Sequence, residues 1–381
     1  MRRQKVPIAV DGRLAAAEAT GVASYAAAMR AALSATGPAP LLIDDARRGR
    51  FGGRAPMAEM AWRQVRARLP RPVALQFDGA RLHAGDVFRL AQARFEATGR
   101  LLDLIAPGPP GIVHWTYPLP LRLKGWVNLY TVHDVIPLIA AEFSPISPEG
   151  LARRIMAVAE VADRIVTVSE AAREEITRVL TLDPAQVVNC GAAVMVLEPR
   201  QAALPAGLRA GEYFLFCGLA EPRKNLPRLI AAWAASGTAR PLVLTGPDFG
   251  SIEPREGLVI LPYQPRDVLA ALLRDARAVL FPSLAEGLGL PVAEAMALGT
   301  PVLTSNRAAL TEAAGGAAIV IDPEDVPAMA QGIARLDQDA ALRARLSILG
   351  RTRAARFSPS AFGMRLRALH DEFAGDSRLA P

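Results

Sequence analysis

The stretch AVLFPSLAEGLGLPVAEAMALG occupies residues 278–299 and predicts a strand, a glycine-containing loop and a helix, in that order. Residues 278–281 are apolar enough for a buried strand, and Pro282 ends that strand. Pro291 suits the first position of a helix, where its missing N–H costs nothing. Gly299 stands where a helix often ends on a left-handed residue. The loop before the helix therefore brings free backbone N–H groups together with the positive end of a helix dipole, which favours a bound anion.

Two glutamates, Glu286 and Glu294, flank this loop, and their charge would repel an anion. They must therefore face a different kind of group. Arg223 and Lys224 offer the opposite chemistry, because they lie between the apolar run at 212–218 and the helical pattern that follows it. Cations do not stabilise a helix N-terminus, so a bound polyanion would explain them better than the dipole does. An exposed pair of loop cations is the simpler alternative.

Together these residues suit a ligand with a diphosphate in its middle and polyols at both ends, which describes a nucleotide-sugar. Arg223 and Lys224 would hold the diphosphate. Carboxylates accept hydrogen bonds and donate none, so Glu294 would take the ribose hydroxyls and Glu286 the hydroxyls of the transferred sugar. Taken singly, Glu294 could be a first-turn glutamate favoured by the dipole and Glu286 a turn residue. The prediction of a nucleotide-sugar site therefore rests on the two cations and the two glutamates taken together.

Apolar runs alternate with helical patterns along the whole chain of 381 residues, which predicts an α/β protein with parallel sheets. We expect two doubly wound, Rossmann-like domains facing a central cleft, with ligands at the carboxyl ends of the strands. The boundary is predicted in the Pro-, Gly- and Ala-rich segment 198–211. This gives an N-terminal domain at 1–200, a C-terminal domain at 201–356 and a final helical segment at 357–381. The predicted strands are 6–10, 40–43, 111–115, 126–132, 164–168, 212–218, 241–246, 258–261, 278–281, 301–304 and 317–321.

Composition excludes several classes of protein. A hydrophobic content of 51% is typical of a globular protein with a substantial core. Two cysteines fit neither a disulfide framework nor a zinc site, and no apolar signal segment follows the first methionine, so a cytoplasmic protein is expected. The longest uncharged stretch, 104–121, holds five prolines and cannot form a spanning helix. Nucleic acid is not an expected partner, because the basic region contains no known binding motif.

Basic charge is concentrated in residues 46–72, which contain eight arginines and one acid. On a predicted helix there, Ala58, Ala61, Trp62, Val65 and Leu69 share one face, while the arginines at 63, 66 and 68 lie off it. A helix of this kind could lie on an anionic membrane surface or hold a phosphate-bearing acceptor, so Trp62, Arg63, Arg66 and Arg68 are candidate acceptor or membrane contacts. The alternative is a helix packed on the core with a solvated basic face.

Two of the four histidines follow or end buried strands in the N-terminal half. His133 comes at the end of WVNLYTVHD and is a reasonable contact for a sugar or a leaving group. His114 is a candidate acceptor contact, and a buried structural histidine is an equal alternative for it. Gly21 allows a close backbone approach before the first helix, which is only a weak signal for phosphate binding. No His, Cys or Asp spacing resembles a metal-ligand set, so no metal site is predicted.

The run FPSLAEGLGLPVAEAMALGTPVLTSNRAALTEAAGGAAIVIDPED at 281–325 closely resembles the donor-site motif of retaining GT-B glycosyltransferases, specifically glycosyltransferase family 4 of the type that builds bacterial surface polysaccharides. The segment CGLAEPRKN at 217–225 resembles the phosphate-binding loop of that family. The first half is similar more loosely, through the stretches AVDGRL, TGVASY, HWTYPLP, TVHDVIPL and RIVTVSEAAREEI. The resemblance thus covers nearly the whole chain.

The resemblance implies a role for each matching residue. His133 and Glu286 would act at the reacting sugar, and Glu286 would also bind the donor. The remaining donor-binding residues would be Gly21, Arg223, Lys224, Gly287, Leu288, Gly289, Leu290 and Glu294. The last helix would cross back to the N-terminal domain. Such enzymes use no obligatory metal or other cofactor, because cations and helix amides stabilise the departing diphosphate.

The sequence therefore predicts a retaining hexosyltransferase that uses a nucleotide-sugar donor and a saccharide or lipid-linked oligosaccharide acceptor in surface polysaccharide synthesis. GDP-mannose is the favoured donor. The enzyme is expected in the cytoplasm, with possible peripheral attachment to the inner face of the cytoplasmic membrane. Two alternatives remain open, a nucleotide-sugar epimerase of similar fold and a non-catalytic sugar-nucleotide-binding protein.

Overall fold

The computed structural model describes residues 6–14, 21–45, 57–195 and 202–379. The chain forms two compact units. Unit 1 contains Met1–Ala192 and Phe362–Pro381, and unit 2 contains Ala193–Ala361. The boundary predicted at 200/201 lies outside the described residues. The second predicted boundary, at 356/357, differs from the structure by five residues, since unit 2 continues to Ala361.

Unit 1 is built on an eight-stranded sheet. All of its pairings are parallel except that between the last two strands at one edge, which is antiparallel. The strands of unit 1, which belong to this sheet and to a smaller one, are β1 (Ile8–Asp11), β2 (Leu41–Asp45), β3 (Val73–Ala74), β4 (Gln76–Phe77), β5 (Arg81–Ala84), β6 (Leu102–Ile105), β7 (Ile112–Trp115), β8 (Leu121–Leu123), β9 (Val127–Thr131), β10 (Arg164–Thr167) and β11 (Val187–Asn189). The main sheet has the order β11-β10-β9-β7-β1-β2-β5-β4, and β3, β6 and β8 form a small parallel sheet of their own. That small sheet was not predicted from the sequence, since strands of two to four residues leave little detectable alternation.

The helices of unit 1 connect these strands. They are α1 (Gly21–Thr36), α2 (Met57–Arg68), α3 (Val87–Thr98), α4 (Ile136–Ile139), α5 (Pro148–Ala159) and α6 (Glu170–Leu180). Helix α1 buries one face, which carries Tyr25, Met29 and Leu33. Helix α5 begins after Ser147, whose side chain accepts a hydrogen bond from the N–H of Gly150 at 3.1 Å.

Unit 2 contains a fully parallel sheet of six strands. These are β12 (Phe214–Cys217), β13 (Leu242–Thr245), β14 (Leu258–Leu261), β15 (Ala278–Phe281), β16 (Val302–Ser305) and β17 (Ile319–Ile321). Helices follow the strands as α7 (Leu226–Ala235), α8 (Arg266–Asp275), α9 (Leu290–Leu298), α10 (Ala308–Ala314), α11 (Val326–Gln338) and α12 (Ala340–Ala354). The strand order β14-β13-β12-β15-β16-β17 is that of a dinucleotide-binding Rossmann fold. Strands β12, β13, β15 and β16 are buried throughout, which explains why they read as continuous apolar runs in the sequence.

The last long helix, α13 (Pro359–Asp371), returns the chain to unit 1. It lies so close to α1 that a Cβ atom on Gly363 would come within 2.9 Å of the Thr36 side chain and 3.1 Å of the Ala32 carbonyl. The guanidinium of Arg365 donates a hydrogen bond to the carbonyl of Cys190 at 2.6 Å. These contacts attach the C-terminal segment to the first Rossmann-like unit.

Helix α2 contradicts the interpretation of a helix packed on the core through its apolar face, and its role at a membrane or acceptor stays a prediction. Its predicted apolar face is not packed on the core: the side chains of Trp62, Val65 and Leu69 are 63%, 52% and 44% exposed. The face that packs carries Ala67, which is fully buried, and Arg63, whose Nε donates to Asp86 Oδ2 at 2.5 Å. Arg63 is therefore a structural residue and not an available contact for an acceptor or a membrane. Arg66 is half-buried, Arg68 is exposed, and residues 46–56 lie outside the described residues.

Candidate active site

The predicted donor residues lie at the switch point of the unit 2 sheet. From β12 the chain moves outward to β13 and β14, and it then returns to β15 on the other side of β12. The loops after β12 and β15 therefore lie side by side, and the N–H of Leu284 donates to the carbonyl of Arg223 at 2.7 Å. In open parallel sheets this position is where ligands bind.

These two loops bring Arg223, Lys224 and Glu286 into one ion cluster. Lys224 Nζ lies 2.5 Å from Glu286 Oε1, and an Arg223 Nη lies 2.8 Å from the same oxygen. A second Arg223 Nη lies 2.7 Å from Glu221 Oε2. The sequence analysis predicted separate roles for the cations and for Glu286, and it did not predict that they pair directly. It also missed Glu221, which comes two residues before Arg223 in the same loop.

The cluster is largely shielded from water. The side chains of Lys224 and Glu286 are 7% and 10% exposed, and the ammonium lies 4.6 Å from the centre of the Phe281 ring. Burial alone would raise the pKa of Glu286, but the charges of Lys224 and Arg223 outweigh burial and hold that pKa below its usual value. Glu286 is therefore ionised at neutral pH, and it offsets part of the positive charge that a diphosphate would meet.

Asn225 directly precedes helix α7, but its side chain does not cap that helix. It adopts a left-handed backbone with φ of 62°, and its side chain accepts no capping hydrogen bond. Instead its amide nitrogen donates to the carbonyls of Pro282 at 3.2 Å and Pro323 at 2.6 Å. Asn225 thus ties together the loops that follow β12, β15 and β17, a role that depends on tertiary contacts and has no local sequence signal.

Helix α9 begins and ends as the sequence predicts. Pro291 lies in its first turn, and Gly299 ends it with φ of 80°. Gly289 precedes the helix with φ of 92°, and a Cβ atom there would collide with the Leu310 side chain. The chain therefore needs glycine at 289, and the loop Gly287–Leu290 leads into a helix N-terminus whose first N–H groups have no partner within the helix.

Glu294 lies on α9 in a different environment from Glu286. Burial raises its pKa to about 7, and the only opposing influence is the charge of Arg266. Glu294 is the fifth residue of α9, whose first turn contains no acidic residue, so the alternative of a first-turn glutamate favoured by the dipole does not account for it. Its side chain is half-buried, and a ligand with hydroxyl groups would supply the hydrogen bonds that favour the ionised form.

Comparison with known proteins agrees with this geometry. The sequence profile of the family described as "Glycosyl transferases group 1" matches residues 211–339, which lie in unit 2. The O-antigen chain mannosyltransferase B of Escherichia coli is 31% identical over 282 residues, which cover 67% of this chain and 71% of that protein. The chain is a group 1 glycosyltransferase.

Two further similarities extend this result. The serotype-specific mannosyltransferase WbdA of Escherichia coli is 27% identical over 274 residues, and these cover 64% of this glycosyltransferase but only 33% of WbdA. Sucrose-phosphate synthase from Thermosynechococcus elongatus superposes with a TM-score of 0.67 at 20% identity, covering 98% of this chain and 100% of that one. The superposition shows the GT-B fold with its two Rossmann-like domains. The enzyme is accordingly a hexosyltransferase of the GT-B, family 4 type.

In unit 1 of the glycosyltransferase, His133 lies just beyond the carboxyl end of β9. Its Nε2 lies 2.9 Å from the carbonyl of Thr116, so this nitrogen carries the proton and Nδ1 can accept one. The ring contacts Tyr25 edge-on, with the ring centres 4.7 Å apart. Burial lowers the pKa of His133 to about 4, so the imidazole is neutral at pH 7 and can accept a hydrogen bond from a sugar hydroxyl.

His114 cannot contact an acceptor in this structure. Its side chain is 0% exposed on β7, and its Nε2 lies 3.0 Å from Thr131 Oγ1. The structural alternative for His114 is therefore the correct one. Gly21, by contrast, is exposed as the first residue of α1, which leaves its predicted role in donor binding as a prediction. Within the described ranges, no helix has both the length and the apolar character needed to cross a bilayer.

Proposed function

We propose that this glycosyltransferase transfers mannose from GDP-mannose to a saccharide acceptor and retains the configuration of the anomeric carbon. One observation carries the proposal: Arg223, Lys224 and Glu286 form a shielded ion cluster at the switch point of unit 2, where a polyanion and a polyol can be bound together. The mannosyltransferase names of its Escherichia coli relatives support mannose as the sugar.

Binding of the donor replaces some of the ion pairs within this cluster by contacts with the diphosphate and the sugar. The diphosphate takes hydrogen bonds from the guanidinium of Arg223 and the ammonium of Lys224. Glu286 keeps one cation and accepts hydrogen bonds from hydroxyls of the mannose. Glu294 accepts hydrogen bonds from the ribose, and the N-terminus of α9 faces the phosphates through the loop Gly287–Leu290.

The chemistry needs no protein nucleophile. The bond between the anomeric carbon and the diphosphate oxygen breaks, and the acceptor oxygen bonds to the same face of that carbon. The departing diphosphate takes the proton of the acceptor hydroxyl. Arg223 and Lys224 stabilise the negative charge that develops on the diphosphate, so no metal ion is required. His133 of unit 1, neutral and with Nδ1 as an acceptor, would accept a hydrogen bond from a sugar hydroxyl.

A ligand screen tests this proposal. Melting temperatures are measured with GDP, UDP and ADP and with their mannose, glucose and N-acetylglucosamine conjugates, without added metal. We expect the largest increase with GDP-mannose and the loss of that increase in Glu294→Ala. Donor consumption is then followed with and without a mannose-containing acceptor. A larger shift with UDP- or ADP-sugars would refute the choice of donor, and a new sugar nucleotide formed without acceptor would indicate an epimerase.

We also propose that helix α2 attaches the enzyme to the inner face of the cytoplasmic membrane, where a lipid-linked acceptor is found. Trp62, Val65 and Leu69 form an exposed apolar stripe along α2, with the exposed Arg68 beside it. An apolar stripe flanked by arginine suits an interface of acyl chains and anionic headgroups. The arrangement supports attachment in the plane of the membrane and not across it.

Vesicle sedimentation tests this attachment. We expect the enzyme to sediment with vesicles containing phosphatidylglycerol and much less with pure phosphatidylcholine vesicles. The double variant Trp62→Ser/Leu69→Ser should remain in the supernatant. Ile348→Ser is the matched control, because Ile348 is 68% exposed on α12 of unit 2. Equal sedimentation of the double variant and the wild type would disprove the role of α2.

A further inference from the structure

Lys224 is the more deeply buried of the two cations in the ion cluster of unit 2. Its side chain is 7% exposed, against 21% for Arg223. Taking an ammonium out of water is unfavourable unless neighbouring groups stabilise its charge. The carboxylate that pairs with Lys224 is shared, because Glu286 Oε1 also lies 2.8 Å from an Arg223 Nη. A further stabilising group beside Glu286 is therefore needed to explain why Lys224 is buried.

Phe281 provides such a group. The ammonium nitrogen of Lys224 lies 4.6 Å from the centre of the Phe281 ring, and that ring is completely buried. The face of an aromatic ring carries partial negative charge and attracts a cation within about 6 Å, most strongly where water is excluded. The ring has no net charge, so it stabilises the ammonium without neutralising it. The positive charge of Lys224 thus stays available to a bound diphosphate.

Two other phenylalanines hold the Phe281 ring in place. Phe281 ends β15, and its ring stacks on that of Phe216 in the neighbouring strand β12, with the ring centres 6.0 Å apart and the planes inclined by 15°. Phe249 meets Phe216 edge-on, with the ring centres 6.4 Å apart. All three side chains are buried. This packing fixes the ring that faces Lys224 at the carboxyl edge of the sheet.

The contact with Phe281 differs from the contact with Glu286 when a donor binds. In the proposed complex, Glu286 turns to the sugar hydroxyls and the diphosphate approaches the cations. A phenyl ring offers no conventional hydrogen-bond acceptor, so neither part of the donor competes for it. Lysine has a flexible four-carbon side chain, and ordering such a side chain on binding reduces affinity. A ring that holds the ammonium before and after binding avoids much of that loss.

We propose that Phe281 is a positioning residue of the donor site, whose ring holds the ammonium of Lys224 where the diphosphate binds. Phe281 acts through Lys224 and not by touching the phosphates itself. This inference rests on the proposed function and adds to it a residue that the sequence marks only as the end of a buried strand. The competing explanation is an ordinary core residue that fills the space beside Phe216.

Titration calorimetry on the full chain tests this inference through the affinity for a nucleoside diphosphate, without added metal. The probe is GDP, or UDP or ADP if the wild type binds one of these more tightly. Phe281→Leu keeps an apolar side chain at position 281 but removes the aromatic face. We expect the dissociation constant of the probe to rise about fivefold or more, which is in the range of a cation–π contact shielded from water.

Phe214→Leu is the matched control. Phe214 is completely buried in the same sheet, but it begins β12 and so lies at the opposite end of that strand from the ion cluster. Both leucine variants should lower the melting temperature, while the affinity of Phe214→Leu for the probe should stay within about twofold of the wild type.

A double-mutant cycle shows whether Phe281 acts through Lys224. Lys224→Met removes the ammonium, and in that background Phe281→Leu should change the affinity by less than about twofold, because the ring no longer has a cation to hold. A residue that only supports the sheet would weaken binding equally in both backgrounds. If Phe281→Leu does not fold, Phe281→Met and its control Phe214→Met replace the leucine pair, since methionine fills the space of a ring more completely.

Wild-type affinity in the Phe281 variant, or an equal loss of affinity in the Lys224→Met background, would overturn this inference and leave the proposed function standing. If the wild type binds none of the three nucleoside diphosphates, the proposed function is wrong and this inference fails with it.

Discussion

Replacing Glu286 with glutamine tests the ion cluster in unit 2 directly. The Glu286 carboxylate lies within 2.5 Å of Lys224 Nζ and 2.8 Å of an Arg223 Nη, and its side chain is 10% exposed. Removing one partner of a buried ion pair costs about 3–5 kcal/mol, because the other charge stays buried without compensation. Glutamine keeps a hydrogen-bond acceptor at position 286, so we expect the free energy of unfolding to fall by about 3 kcal/mol, at the lower end of that range. For a unit of this size that lowers the melting temperature by about 6–12 °C.

Ligand should restore part of this loss. In Glu286→Gln the two cations meet the diphosphate without a competing carboxylate, so GDP should raise the melting temperature by more than it does in the wild type. The further gain from GDP-mannose over GDP should shrink, since the variant lacks the charged acceptor for the mannose hydroxyls. Differential scanning fluorimetry measures both effects, and urea unfolding gives the free energy of unfolding.

Glu221→Gln is the matched control for this experiment. Glu221 pairs with the same Arg223, but its side chain is 35% exposed, so its removal should cost less than about 1 kcal/mol. If ligand-free Glu286→Gln melts within about 2 °C of the wild type, which corresponds to less than about 1 kcal/mol, Glu286 does not hold the cluster together. An equal effect of the two substitutions would contradict the argument in the same way.

Three further predictions concern pH and metal. Because the pKa of Glu294 is raised to about 7 and ribose hydroxyls favour its ionised form, GDP affinity should fall by up to about tenfold per unit as the pH drops below 7, measured by calorimetry. Glu294→Gln should remove that part of the pH dependence. Burial lowers the pKa of His370 to about 4, so the unfolded chain binds its proton first, and the free energy of unfolding should decrease as the pH falls from 6.5 to 4. The contribution is roughly 3 kcal/mol, and it should be absent in His370→Gln urea titrations. Excess EDTA should leave the initial rate of mannosyl transfer unchanged, and a loss restored by a divalent cation would show that the reaction uses a metal ion.

Local sequence determined the fold class and the two loops of unit 2 that carry the proposed donor-binding residues. Every strand of the unit 2 sheet was predictable as an apolar run, and the four buried strands β12, β13, β15 and β16 are apolar because both of their faces are covered. The turn from β15 into α9 was predictable from Pro291 and Gly299, whose backbone preferences are properties of single residues. The proximity of Arg223 and Lys224 to Glu286 followed from strand-end positions alone, since parallel strands present their carboxyl ends at one edge.

Only the tertiary structure shows which of the polar side chains are ionised, which are paired with each other and which are exposed to a ligand or to solvent. The sequence placed Asn225 at a helix start, but contacts with Pro282 and Pro323 from distant loops take its amide away from the helix. The apolar residues of α2 share one face, and the sequence alone does not show whether that face is packed or exposed. The position of α3 and the hydrogen bond from Arg63 to Asp86 decide which face is buried.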